Sequence, residues 1–97
     1  MKLVIEQAAL AELQAAAAFY SEKASAELGL ALVAEFERGA NLLLANPLIG
    51  TPFRGTSRRY VLRRFPYSII YRATANEIQI VAVAHHRRRP GYWTKRK

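Results

Sequence analysis

The sequence predicts an α+β fold of order β-α-α-β-β-β, in which a helical hairpin packs on one face of a small antiparallel sheet. Three observations carry that expectation. A short alternating run opens the chain, two helix-forming stretches with apolar stripes follow, and three β-rich runs separated by short turns fill the second half. Ninety-seven residues, 52% of them hydrophobic, suit one domain spanning 1–97 and leave little room for a second core.

Lys2 to Glu6 alternates, with Leu3 and Ile5 on one side, as a short strand of period two requires. From Ala8 to about Ala24 the residues are strong helix formers. Leu10, Leu13, Ala17, Tyr20 and Ala24 recur at spacings of three and four and draw one apolar stripe. A second helix is expected after Gly29, from Leu30 to Ala45, with Leu32, Phe36, Ala40 and Leu43 on its buried face and Asn46-Pro47 ending it. The few residues from Ser25 to Gly29 would make the two helices an antiparallel hairpin.

Pro47, Gly50, Pro52 and Gly55 then punctuate a loop in which no regular structure is expected, a hinge between the two halves of the chain. Beyond it come a strand from Tyr60 to Arg64, a second over Tyr67–Arg72 after Pro66, and a third over Ile78–Ala84 after the turn at Asn76. Short connections make these an antiparallel meander. The helical hairpin would cover one of its faces and leave the other exposed.

Charge divides the chain as sharply as structure does. Up to Phe53 there are three basic and six acidic residues; from Arg54 onward there are twelve basic residues and one acid, Glu77. A positive half of this density attracts phosphate backbones or an acidic protein partner, and it is built mainly of arginine, whose planar fork grips phosphate and carboxylate bidentately. The chain has no cysteine, so neither disulfides nor thiolate metal sites hold it together. No His/Asp/Glu cluster has metal-ligand spacing, no glycine-rich loop leads a strand into a helix, and no cofactor is expected. Glu6 cuts short the first apolar run and Glu12 and Gln14 break the alanine-rich stretch, so neither a signal peptide nor a membrane span is read.

Both histidines, the only tryptophan and a run of arginines crowd the end of the chain, Ala84-His85-His86-Arg87-Arg88-Arg89-Pro90-Gly91-Tyr92-Trp93. Chemistry or anion recognition is expected there. A strict period of two places Ile78, Ile80, Ala82 and Ala84 on one face of the last strand and Gln79, Val81, Val83 and His85 on the other. His85 and His86 therefore face different surroundings, and Arg63 and Arg64 divide in the same way. Tyr67 and Tyr71 read as packing residues of the sheet, and Tyr92-Trp93 as an anchor for the tail.

The segments Phe65-Pro66-Tyr67-Ser68-Ile69-Ile70-Tyr71-Arg72, Ile80-Val81-Ala82-Val83-Ala84-His85 and Arg88-Arg89-Pro90-Gly91-Tyr92-Trp93, with a helical hairpin ending at Asn46-Pro47, resemble the RelE/ParE superfamily, the toxins of bacterial type II toxin-antitoxin systems. The likeness to its ParE-like, plasmid-stabilisation branch is the closer, because both expected helices are long and because arginine alone supplies the positive charge between Arg54 and Arg72, where ribonuclease members often carry lysine. Arginine stays charged and is a poor general base.

The resemblance implies a cytoplasmic toxin kept silent by a cognate acidic or amphipathic antitoxin. It implies DNA gyrase as the target for a ParE-like toxin, and the ribosome and mRNA for a RelE-like endoribonuclease. Plain, non-catalytic nucleic-acid binding is a third reading. For RNA cleavage the catalytic candidates are His85 and His86 as base or acid, Arg63 or Arg64 with Arg88 as phosphate stabilisers, and Tyr92 as a stacking or proton-transfer group. For antitoxin or target binding the candidates are Arg58, Arg59, Arg72, Arg87, Arg89, Trp93 and Arg96.

Overall fold

The computed structural model describes residues 1–94 and 96. The elements run β1 (Lys2–Ile5), α1 (Gln7–Lys23), α2 (Ala26–Ala45), β2 (Thr51–Pro52), β3 (Arg58–Val61), β4 (Tyr67–Ala73) and β5 (Glu77–His85). They form a five-stranded sheet of order β1-β5-β4-β3-β2 with the two helices against it. The three-strand meander is as expected: β3 pairs antiparallel with β4, and β4 with β5. The sheet is nevertheless mixed, because β1 lies parallel to β5 at the edge, with Leu3 opposite Ile78 and Ile5 opposite Ile80. A long crossover through both helices separates these strands in sequence, as a parallel pair requires.

The helical hairpin is tighter than the sequence suggested. Helix α2 begins at Ala26, where the side chain of Ser25 accepts a hydrogen bond from the Leu28 N–H and caps the first turn. Gly29 therefore lies inside the helix and not at its start. A Cβ there would sit 2.8 Å from the Ala17 carbonyl oxygen and collide with the Ser21 hydroxyl, so the missing side chain serves close approach of the two helices. Leu32, Phe36, Ala40 and Leu43 are all buried as read. On α1 the buried stripe is Ala9, Leu13 and Ala16, with Tyr20 packed beside them, while Leu10 is 40% exposed. The stripe is rotated because α1 must face both α2 and β5.

The stretch after α2 is no hinge. Thr51 and Pro52 pair with Arg59 and Arg58 as a two-residue edge strand, a place where proline's missing donor does no harm. The loop before it is tied to the core at one point. The Tyr71 hydroxyl donates to the Pro47 carbonyl at 2.7 Å and accepts from the Gly50 N–H at 3.0 Å, while Arg58 donates to the Gly50 carbonyl at 2.7 Å.

Strand β3 ends at Val61, earlier than expected. Arg64 adopts a left-handed conformation (φ 72°) in the turn that Pro66 closes, so Arg63 and Arg64 belong to the β3–β4 connection. Their assignment to opposite faces of a strand does not hold.

The period-two reading of β5 also fails, through one extra residue. Tyr71 pairs with Ile80 and Ile70 with Ala82, which leaves Val81 as a bulge. Ile78 and Ile80 point into the helix-side core, but so does Val83, while Val81, Ala82 and Ala84 join the opposite face. That second face is not left bare. Trp93 returns from the C-terminal segment, is 3% exposed, and packs with Ile70, Val81, Ala82 and Ala84, flanked by Phe53 and Tyr92. Among the described residues no helix is long and apolar enough to cross a membrane.

Candidate functional site

The outer face of the sheet, turned away from the helices, carries a small cleft. Strands β3, β4 and β5 present Arg59, Ser68, Ile70 and Ala84 on this side. After β5 the chain turns back across them, so that His86, Arg88, Arg89 and Trp93 form the opposite wall, with Phe53 closing one end. The cavity measures about 50 Å³. On its floor the buried Ser68 hydroxyl and His86 Nε2 lie 3.1 Å apart.

Two of the arginines lie over aromatic rings, Arg59 at 4.8 Å from the centre of Phe53 and Arg88 at 3.9 Å from that of Tyr92. Trp93, read as a contact residue and as an anchor, anchors: its ring meets Phe53 at 5.6 Å and Tyr92 at 5.4 Å.

The expected catalytic set is brought together only in part. His85, His86, Arg88 and Tyr92 line the outer cleft, while Arg63 and Arg64 lie apart from it in the β3–β4 turn. The His85 ring stands edge-on to Tyr67 at 4.9 Å, and its Nδ1 accepts the Arg87 N–H at 3.0 Å. Burial, reinforced by the positive charge of Arg87 and by the neighbouring His86, holds the His85 imidazole below its ordinary value. Arg63 donates its backbone N–H to Glu35 of α2 at 2.6 Å, and Arg64 lies over Phe65, so this pair sits on the helix side of the β3–β4 turn. Glu35 also binds Arg38, which in turn donates to the Tyr60 hydroxyl at 3.0 Å.

Among the binding candidates, Arg58 spends its guanidinium on loop carbonyls, Arg72 pairs with Glu6 at 3.4 Å, and Arg96 pairs with Glu12. Arg87 and Arg89 are exposed beside the outer cleft.

One residue gains a role that the sequence did not suggest. Glu12, read only as a break in the alanine run, holds the C-terminal segment in place. Its carboxylate accepts the Tyr92 hydroxyl at 2.6 Å, the Val83 N–H at 3.0 Å, and both terminal nitrogens of Arg96 at 3.2 and 2.9 Å. Arg96 also donates to the Val81 carbonyl at 3.1 Å. Two backbone groups at and beside the bulge, past the point where β1 stops pairing, are thereby satisfied by side chains.

Burial pushes the Glu12 carboxyl up, but the hydrogen bonds from Arg96, Tyr92 and Val83 together outweigh it and hold the group below the usual carboxylate range. For Tyr92, burial and the bond to Glu12 push the phenol far above its ordinary value. A phenol in that state keeps its proton and is a poor acid–base group at neutral pH. No local pattern announces Glu12, because its partners lie 71 to 84 residues away in sequence.

The arrangement suits binding of an anion better than proton transfer. The cleft is lined by three arginines and both histidines, and its lining contains no carboxylate. Among the described residues no group of three or more His, Cys, Asp or Glu side chains is placed to hold a metal ion.

A second concavity, on the other side of the molecule, is a groove of about 710 Å³ between β1 and the helical hairpin. Leu3, Ile5, Leu10, Leu13 and Phe36 line it, with Gln14, Glu37 and Asn41 among its polar residues.

Comparison with known proteins gives this geometry a family. Residues 3–90 match the family described as ParE toxin of type II toxin-antitoxin system, parDE. A solved structure titled "Chromosomal ParDE TA system from P. aeruginosa" superposes with a TM-score of 0.78 at 28% sequence identity, covering 88% of this chain and 95% of that one. Among curated proteins no match was found. With the match spanning nearly every element of the fold, from β1 through the arginine turn, the chain belongs to the ParE toxin family of type II toxin-antitoxin systems.

Proposed function

We propose that this ParE toxin acts in the cytoplasm by inhibiting DNA gyrase, without hydrolysing nucleic acid itself, and that a cognate antitoxin silences it. One observation carries the choice against RNA cleavage. The groups that would serve as general acid and base are bound into structural contacts: His85 against Tyr67, His86 on Ser68, and Tyr92 donating to Glu12. Cleavage through a 2′-hydroxyl needs a base and an acid within reach of one phosphate. Arg59, Arg87, Arg88 and Arg89 fit the remaining role, recognition of a negatively charged target.

For the antitoxin, an amphipathic segment fits both halves of the molecule. Its apolar side suits the groove lined by Leu10, Leu13 and Phe36, and its acidic residues suit the arginine-rich half.

The test is a pair of assays on the purified protein. Added to gyrase and relaxed plasmid, it should block supercoiling or leave linear DNA, while a reporter mRNA translated in its presence stays intact. Cuts in the mRNA with normal supercoiling would overturn the reading.

A further inference from the structure

We propose that the outer cleft between Arg59, His86, Arg88 and Arg89 binds a phosphodiester group of a nucleic-acid backbone. The gyrase reading assigns no nucleic acid to this chain, and the proposal does not depend on it.

The argument starts from charge. Among the described residues the ion pairs are Arg38 with Glu35, Arg72 with Glu6 and Arg96 with Glu12. The three cleft arginines share none of these carboxylates, and none lines the cleft. Guanidinium groups gathered around a cavity of about 50 Å³ repel one another, and that cost is relieved when an anion enters.

Their presentation is equally specific. The guanidinium carbons of Arg59 and Arg88 lie over the rings of Phe53 and Tyr92, contacts that hold the two side chains at the cleft without using up their N–H donors. Both side chains give up rotamer freedom to the rings in advance, so less is lost when a ligand binds.

The shape of the site selects among anions. A carboxylate offers two oxygens in one plane and saturates a single fork. A phosphodiester offers oxygens in tetrahedral directions, suited to a cavity lined by arginines from β3 and from the turn after β5 together with the His86 and Ser68 pair. The rest of the basic half supplies the field that draws a polyanion in.

The experiment measures fluorescence anisotropy of the full chain, without gyrase, against a short labelled DNA duplex and a single-stranded RNA of the same sequence. Micromolar or tighter binding is expected for at least one of them, and the preferred arm identifies the source of the phosphodiester. Arg59→Gln and Arg88→Gln should each lower the slope of log affinity against log salt by about one, and weaken binding about tenfold at low salt. Lys23→Gln, which removes the same charge from the end of α1, should leave the affinity within about twofold. Melting temperatures close to that of the parent show that the variants are folded.

Three results would overturn the proposal: no binding to either nucleic acid, an equal loss in Lys23→Gln, or displacement by polyglutamate as effective as by unlabelled nucleic acid. Because gyrase is absent, failure here is separate from failure of the supercoiling assay.

Discussion

Replacing Glu12 tests whether one carboxylate on α1 fastens the end of the chain to the sheet. In Glu12→Gln the four hydrogen bonds lose their charged acceptor, and the new amide brings two donors toward groups that already donate. The losses are unequal. The Arg96 side chain is partly exposed and can turn its guanidinium into water, which limits its share. The Val83 N–H is fixed in β5 and cannot follow, so its lost acceptor costs about 1–3 kcal/mol. Tyr92 loses a short charge-assisted bond of about 1.5–3 kcal/mol, partly recovered by water at the surface.

Together these give a destabilisation of about 3 kcal/mol, which for a domain of this size lowers Tm by roughly 12–24 °C. Thermal and urea unfolding followed by circular dichroism measure it. The pH dependence supplies an independent sign. The Glu12 carboxyl is held below its unfolded value, so its contribution is fully present above about pH 4.3 and is lost as pH falls through the lower folded value. Glu12→Gln should therefore flatten part of the acid-side loss of stability, leaving the share that Glu35 contributes in the same direction. A destabilisation under about 0.5 kcal/mol, the range of ordinary surface substitutions, with an unchanged acid limb would refute the clamp.

Three further outcomes follow from other parts of the fold. Gly29→Ala drives a methyl group against Ser21 and the Ala17 carbonyl and should cost about 1–3 kcal/mol, read by urea denaturation; a neutral result would mean that the helices separate freely. Leu10→Glu places a charge at the 40% exposed edge of the apolar groove, so calorimetric titration should show antitoxin affinity falling at least tenfold while Tm moves little, and unchanged affinity would remove the groove from the interface. In an NMR titration the His85 ring should protonate below its ordinary value of about 6.5, because burial and the neighbouring Arg87 disfavour its charge; the unfolded chain then takes up that proton first, and stability falls as pH drops below about 6.5. A His85 midpoint above 6.5 would contradict the assigned environment.

Much of the fold was legible in the sequence because it rests on short-range rules. The stripe of Leu32, Phe36, Ala40 and Leu43 was visible as helical spacing, and all four are buried. The β3-β4-β5 meander was visible from its turns. The second helix was read as starting too late because Gly29 looks like a boundary residue, and only the packing of α1 explains a glycine inside α2. The edge strand at Thr51–Pro52 escaped because prolines mark loops, and its pairing with β3 is a tertiary fact. Of the site, the sequence disclosed which residue types gather at the end of the chain; the parity argument for His85 and His86 lapses because β5 ends at His85, and both line one cleft. It did not disclose Glu12, Phe53 or Ser68, whose partners in the site come from other elements.

By itself, then, the sequence determined the order of elements, the buried stripe of α2, the two-sided distribution of charge and the likeness to the ParE branch. The first three are fixed by spacing, propensity or composition along the chain, and the last is a resemblance carried by its motifs. Only the tertiary structure decided which arginines are free. Arg58, Arg72 and Arg96 are drawn to loop carbonyls and to glutamates on or beside α1, while Arg59 and Arg88 are pressed on aromatic rings at the outer cleft. The physical reason lies at Val81. One bulged residue shifts the register of β5, turns Val83 toward the helices and Ala82 away from them, and leaves backbone groups that Glu12 and Arg96 satisfy. A parity carried along the chain by twos cannot register that extra residue until the strand is laid against its neighbour.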